Sequence, residues 1–154
     1  MMHFKVNDSH CLHREKTDAT IVENHVKIIG SVPDGDSLCS SWVGKKLTEG
    51  KEQTLNLDIS ACMKYSTFVH EFLHAYGLEH EQSRPDRDDF ITVAFNNIRK
   101  KGWIQYKICQ GCKTYGVPYD GRSIMHYPSG SFALDFSKPT MISKVKFSSS
   151  PLNI

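Results

Sequence analysis

His70-Glu71-Phe72-Leu73-His74-Ala75-Tyr76-Gly77-Leu78-Glu79-His80 is the stretch from which the rest of the chain is read. His70 and His74 are four apart, so on a helix they stand one above the other on one face. Two neutral imidazoles there can grip one metal ion. Glu71 follows the first of them and lies near the metal without having to bind it, which is the arrangement for activating a water. Gly77 can take a positive φ and end the helix. The chain then turns, and His80 completes a three-histidine face with an open fourth position. A bare H-E-x-x-H also occurs in ordinary helices, as two surface histidines beside a glutamate. The added Gly77 and His80 at these offsets argue against that plainer reading.

A second element lies far along the chain, Ser123-Ile124-Met125-His126-Tyr127. An extended zinc motif followed by a methionine turn is the metzincin signature. After the third histidine comes Glu81-Gln82-Ser83-Arg84-Pro85-Asp86-Arg87-Asp88. With that acidic-arginine continuation the chain resembles the astacin family of zinc metalloendopeptidases. Other metzincins share the histidines but not the continuation. The resemblance covers roughly residues 11–144.

The resemblance implies an α+β, metzincin-like fold. Its N-terminal part would hold a mixed, mostly parallel sheet with one antiparallel edge strand, together with the zinc helix. Its C-terminal part would be irregular, and residues 1–154 would form a single, partial catalytic domain. One Zn2+ per chain would be held by His70, His74 and His80. Glu71 would act as general base and then general acid. Tyr127 matches a tyrosine that ligates zinc at rest and swings away to hydrogen-bond the tetrahedral intermediate; its plainer reading is a packed core tyrosine. Met125 would form a hydrophobic base under the site. His126 is not assigned as a ligand, and His3, His10, His13 and His25 read as surface histidines. Cysteines matching Cys39 and Cys62 are disulfide-bonded in the family.

The chain has 154 residues, 39% of them apolar, which suffices for one domain with a real core. A net charge of +2 with scattered basic residues gives nucleic-acid binding no support. No run approaches the eighteen or so apolar residues of a membrane span, and residues 1–8 lack the apolar segment of a signal peptide. Five cysteines favour an oxidising compartment. Cys109 and Cys112 enclose Gln110-Gly111; a zinc knuckle, a redox pair and a small local disulfide all fit that spacing, and the disulfide is favoured. Cys11 matches a family cysteine whose partner lies beyond Cys112, where this chain has none. Glu81 matches a glutamate that receives the mature N-terminal ammonium. The family's first strand and helix would precede Cys11. The chain therefore reads as truncated at both ends, with a secreted full-length form.

Local patterns place the other elements. Asn24–Ile29 is β-branched and reads as a strand, as does alternating Thr54–Ile59. By resemblance the latter is the edge above the cleft, pairing with an extended peptide by strand addition. Met63–Tyr76 is the zinc helix, with Phe68, Phe72 and Ala75 as core. Pro33-Asp34-Gly35 is a turn, Lys45–Glu52 a polar loop, Ile91–Phe95 a short apolar segment, and Asn97–Lys107 a short helix. Residues 1–20 give only weak signals, and Lys146–Ile154 is Ser-rich. The function expected is zinc-dependent hydrolysis of peptide bonds in extended peptide or protein substrates. The alternative is a catalytically weak zinc- or peptide-binding remnant. A structural zinc module would want a fourth protein ligand, which the motif does not offer.

Overall fold

The computed structural model describes residues 25–30, 39–45 and 52–146 in full, and the backbone of two strands at 3–6 and 12–15. Cys11, His10, the Pro33 turn, most of the Lys45–Glu52 loop and the Ser-rich end lie outside the described residues. The chain divides into two compact units, residues 1–78 and 79–154.

Among the described residues the first unit holds a five-stranded sheet and one helix. Its strands are β1 (His3–Val6), β2 (Leu12–Glu15), β3 (His25–Ile29), β4 (Cys39–Ser41) and β5 (Glu52–Leu57), in the order β2-β1-β3-β5-β4. The α+β class and the mixed sheet are as expected. The balance of strand directions is not: among the described residues only β3 and β5 run parallel, while β1–β2, β1–β3 and β4–β5 are antiparallel. The physical reason is connection length. A parallel pair needs a crossover of a dozen residues or more. Five residues separate β1 from β2, too few for such a crossover.

The edge assignment also needs correcting. β5 is hydrogen-bonded on both sides, to β3 and to β4, so it has no free ladder to offer. Among the described residues the edge is β4, whose Cys39, Ser40 and Ser41 pair with Leu57, Asn56 and Leu55. The Asn56 side chain donates to Ser40 Oγ at 3.1 Å, which reinforces the pairing. Alternation along β5 correctly marked a half-buried strand, with Leu55 and Leu57 inward. It carried no information about the neighbours.

Helix α1 (Tyr65–Ala75) packs on β4 and β5. The core beneath it is Val26, Leu55, Leu57, Cys62 and Ala75, with Ile28, Cys39 and Phe72 against it. Each large side chain buried there is worth about 1.5–3 kcal/mol. The Cys39–Cys62 disulfide, with Cα atoms 5.8 Å apart, ties the edge strand to the segment leading into the helix. Phe68, expected in the core, is exposed. It lies in the first turn of α1 and stands against Phe72 one turn on, with ring centroids 4.4 Å apart. His25 departs from the surface reading, because its side chain is largely covered and sits 3.4 Å from Glu52. The chain then leaves α1 through a complete Schellman cap. The Gly77 N–H donates to the His74 carbonyl at 2.8 Å and the Leu78 N–H to the Leu73 carbonyl at 3.0 Å. Gly77 sits at φ +99°, a conformation that glycine adopts without strain.

The second unit has little regular structure. β6 (Ile91–Val93) and β7 (Met141–Ser143) form an antiparallel pair, and 3-10 turns occupy Glu81–Ser83, Arg87–Asp89, Phe95–Asn97 and Lys100–Tyr106. The expected helix in Asn97–Lys107 is the last of these. Its core is Ile91, Ile98, Tyr106, Tyr119 and Met141. Polar groups do the work that ladders do elsewhere. Buried Arg87 donates to the Gln82 carbonyl at 2.9 Å, the Tyr106 carbonyl at 2.6 Å and Asp88 Oδ1 at 2.9 Å. The Asn97 side chain donates to the carbonyls of Asp135 and Lys138 and accepts from the Asp135 N–H. Such bonds satisfy backbone groups that have no strand or helix partner. No helix among the described residues is long and apolar enough to cross a membrane.

Candidate metal centre

Within the first unit, α1 presents His70 and His74 on successive turns. Their rings meet edge to face with centroids 4.6 Å apart, and each offers a ring nitrogen within 4.8 Å of the other's. His74 is buried and its orientation is fixed from behind. Its Nδ1 lies 2.7 Å from the Leu78 carbonyl. A carbonyl only accepts, so Nδ1 carries the proton and Nε2 is the unprotonated nitrogen, the form a metal requires. Burial holds the His74 imidazole below its ordinary pKa, opposed by the Leu78 carbonyl and assisted by His70.

The His74 backbone is held too. Its carbonyl receives the Gly77 N–H and also, at 2.8 Å, the Gly44 N–H from the segment after β4. Gly44 is left-handed as well, at φ +67°. A Cβ on Gly44 would lie 3.6 Å from the Gly77 Cα, so the two backbones pass face to face. Gln53 on β5 anchors the Gly44 carbonyl at 3.1 Å. Sequence reasoning missed this support. Gly44 followed Trp42-Val43 without a pattern that pointed to a helix end.

Glu71 is 6% exposed. Burial pushes its carboxyl above the usual range, against the pull of His70. Its Oε2 is buried with no hydrogen-bond partner. An orphaned carboxylate oxygen costs free energy unless a water or ion meets it. That orphan and the tautomer in which His74 is held fit this donor set to a zinc ion with its water.

Within the second unit, His80 opens the segment and its ring lies against Tyr127, centroids 4.4 Å apart. Tyr127 is half-buried between His80 and Phe132, and its N–H donates to Gln82 Oε1 at 3.1 Å. Met125 is 2% exposed, and its carbonyl accepts the Glu81 N–H at 3.0 Å. The turn around it is closed by the Met125 N–H on Ser123 Oγ and the His126 N–H on the Ser123 carbonyl. His126 is engaged at both ring nitrogens. Nδ1–H donates to the Tyr127 carbonyl, and Nε2 accepts from the Tyr119 hydroxyl, each at 2.7 Å. It is a strut of the turn.

The acidic-arginine continuation proves to be a bracket for this segment. The Arg84 guanidinium grips both Asp86 oxygens at 3.0 and 2.8 Å, Glu81 Oε1 at 3.0 Å, and the carbonyls of Val117 and Pro118. Glu81 Oε1 also takes the Asp120 N–H at 2.8 Å. The residues were visible as a motif, but nothing in their spacing announced a bracket reaching residues 117–120. Cys109 and Cys112 are bonded to each other.

Comparison with known proteins places the chain. The model of the peptidase family described as Astacin matches residues 2–152. Zinc metalloproteinase nas-7 of Caenorhabditis elegans is 45% identical over 113 residues, covering 70% of this chain and 28% of that protein. Zinc metalloproteinase dpy-31 of Brugia malayi is 40% identical over 124 residues, covering 79% and 20%. Among solved structures, High choriolytic enzyme 1, a hatching enzyme zinc-protease from Oryzias latipes, superposes with a TM-score of 0.72 at 25% identity, over 84% of this chain and 60% of that chain. The chain thus spans about a fifth to three tenths of the length of these curated relatives.

Proposed function

The chain belongs to the astacin family, and on that premise we propose that it is a zinc-dependent endopeptidase cutting extended peptide or protein substrates. The observation that carries the reading is Glu71. A buried carboxyl with an orphaned oxygen and a raised pKa, one residue from His70, is suited to receive a proton. His70, His74 and His80 are the proposed ligands. Zinc held by three imidazoles supplies a Lewis acid for the scissile carbonyl and lowers the pKa of water to about 7.

Glu71 accepts the proton of the attacking water and hands it to the leaving amine. The Leu78 carbonyl keeps His74 in the tautomer that binds metal. Tyr127, beside His80, donates its hydroxyl to the developing oxyanion. Met125 packs under the turn that carries Tyr127. The substrate strand adds to β4, the edge of the sheet, through main-chain hydrogen bonds. Two closed disulfides support an extracellular, oxidising location.

The test is zinc stoichiometry together with cleavage of an unfolded protein, with and without chelator. The expected result is one zinc per chain and cleavage that the chelator abolishes. Glu71→Gln is expected to keep the metal and lose turnover by about 10²–10⁴-fold. Equal turnover in variant and parent, at equal zinc content, would sink the role given to Glu71.

A further inference from the structure

Cys109 and Cys112 are not used by the reading above. They enclose a two-residue turn in the second unit. The Cys112 N–H faces the Cys109 carbonyl, and Gly111 is left-handed at φ +93° with open space where a side chain would be. Cys-x-x-Cys is the spacing with which two thiolates chelate one soft metal ion. A third donor stands beside the pair. A carboxylate oxygen of Glu79 and both sulfurs lie within 4.8 Å of one another. Glu79, Gln110 and Gly111 are exposed and both cysteines are half-buried, so solvent reaches the cluster. The base of the turn is pinned, because the Cys109 N–H donates to the Ser83 carbonyl at 2.7 Å.

We propose that Glu79, Cys109 and Cys112 form a second metal site, closed while the cysteines are joined and opened by reduction. In the disulfide neither sulfur is a thiolate, so the pair cannot bind. A phosphine or dithiol reductant supplies two electrons, the S–S bond breaks, and two thiols form; a phosphine leaves as its oxide with oxygen taken from water, a dithiol as its own disulfide. A divalent soft cation then displaces both thiol protons, forming two metal–sulfur bonds and one to Glu79. The dimensions suit this. Tetrahedral zinc with sulfurs at 2.3 Å and an oxygen near 2.0 Å has ligand atoms about 3.5–3.8 Å apart. Opening the S–S bond therefore brings the trio to chelating distance with little backbone movement. The Cys39–Cys62 pair responds differently. It closes a longer loop, with a separation of 23 residues against 3, and Cys62 is 1% exposed. Chain-entropy stabilisation grows with loop length, so the short, solvent-facing pair is the one a mild reductant opens first.

The probe is Cd2+, whose bonds to thiolates absorb in the ultraviolet while its bonds to imidazole do not. The purified chain is titrated with and without a phosphine, and thiols are counted by alkylation and mass mapping. Reduction is expected to add one equivalent of Cd2+ with the thiolate band and to free Cys109 and Cys112. Cys109→Ser/Cys112→Ser is expected to lose that equivalent while keeping the one at the histidines, and Glu79→Gln to weaken it at least about tenfold. The proposal is overturned if the reduced chain binds no additional Cd2+. It is overturned equally if the extra equivalent survives in the double serine variant, if Glu79→Gln binds as tightly as the parent, or if the pair stays closed under phosphine. The histidine equivalent is read separately, so failure here leaves the peptidase reading standing, and loss of that equivalent alone would count only against the peptidase.

Discussion

Replacing Gly44 and Gly77 by alanine, singly and together, tests the support behind His74 in a way that single substitutions cannot. Both glycines are left-handed, at φ +67° and +99°. A Cβ added at Gly44 lies 3.6 Å from the Gly77 Cα, and one added at Gly77 lies 3.8 Å from the Gly44 Cα. Those are ordinary contacts, so each single variant bears only the cost of an L-residue in left-handed backbone, about 1–2 kcal/mol. In the double variant two methyl carbons point into the gap that one would fill. The excess over the sum of the singles is then expected at about 1 kcal/mol or more, within the range of about 0.5–3 kcal/mol seen for residues in contact. The assay is urea unfolding followed by circular dichroism on chelator-treated protein, because bound metal would add its own linkage to stability. Gly77→Asn should fall between parent and Gly77→Ala, since asparagine tolerates this region better. A double variant additive to within about 0.3–0.5 kcal/mol would show that the two backbones do not face each other. A costless Gly77→Ala would show that the helix does not end in this cap.

Two further predictions concern the second unit. At Gly102 an added Cβ would stand 2.7 Å from the Phe132 Cβ and ring; Gly102→Ala is expected to destabilise by about 1–3 kcal/mol through overpacking, and an unchanged urea midpoint would contradict that packing. The Arg84 guanidinium bonded to Asp86 holds that carboxyl below the usual carboxylate range. The unfolded chain therefore binds the proton more tightly, and the stabilisation is complete above the unfolded carboxyl pKa of about 3.9 and lost as pH falls through the lower folded value. Asp86→Asn should flatten the acid limb of the stability–pH curve below about pH 4, and parallel curves for variant and parent would refute the assignment.

Much of the first unit was legible because its signals are periodic. Thr54–Ile59 alternates and overlaps β5, which begins two residues earlier and ends at Leu57; the helix is bounded by its motif and by Gly77; β3 carries β-branched Val26, Ile28 and Ile29. What alternation could not tell is who sits beside a strand, and so the edge fell on β5 instead of on three-residue β4. β1 and β2 were invisible because four-residue strands such as His3–Val6 and Leu12–Glu15 give a period-two pattern little room to show itself. Phe68 had the right spacing for the core, but spacing alone does not fix burial in the first turn of a helix. At the site, the ligand candidates and Glu71 follow from chemistry at fixed offsets. The orienting groups do not, since the Leu78 carbonyl, the Gly44 N–H and the Gln82 amide act through geometry that sequence spacing does not encode. The second unit was least legible, because side-chain bonds to backbone replace the repeating ladders that leave a trace in sequence.

Asn97 shows what that substitution means for the chain's freedom to vary. Its side-chain amide fixes the Asp135 N–H and the carbonyls of Asp135 and Lys138, and the Asn97 main-chain carbonyl takes the Leu134 N–H. Instructions for the path of residues 134–138 are therefore written some forty positions upstream. Side chains such as Leu134 and Phe136, which stand in solvent, are open to exchange for almost any residue. An inserted or deleted residue among them is not, because it would shift the register against a fixed clasp. Asn97 itself has no substitute of the same length that both donates twice and accepts.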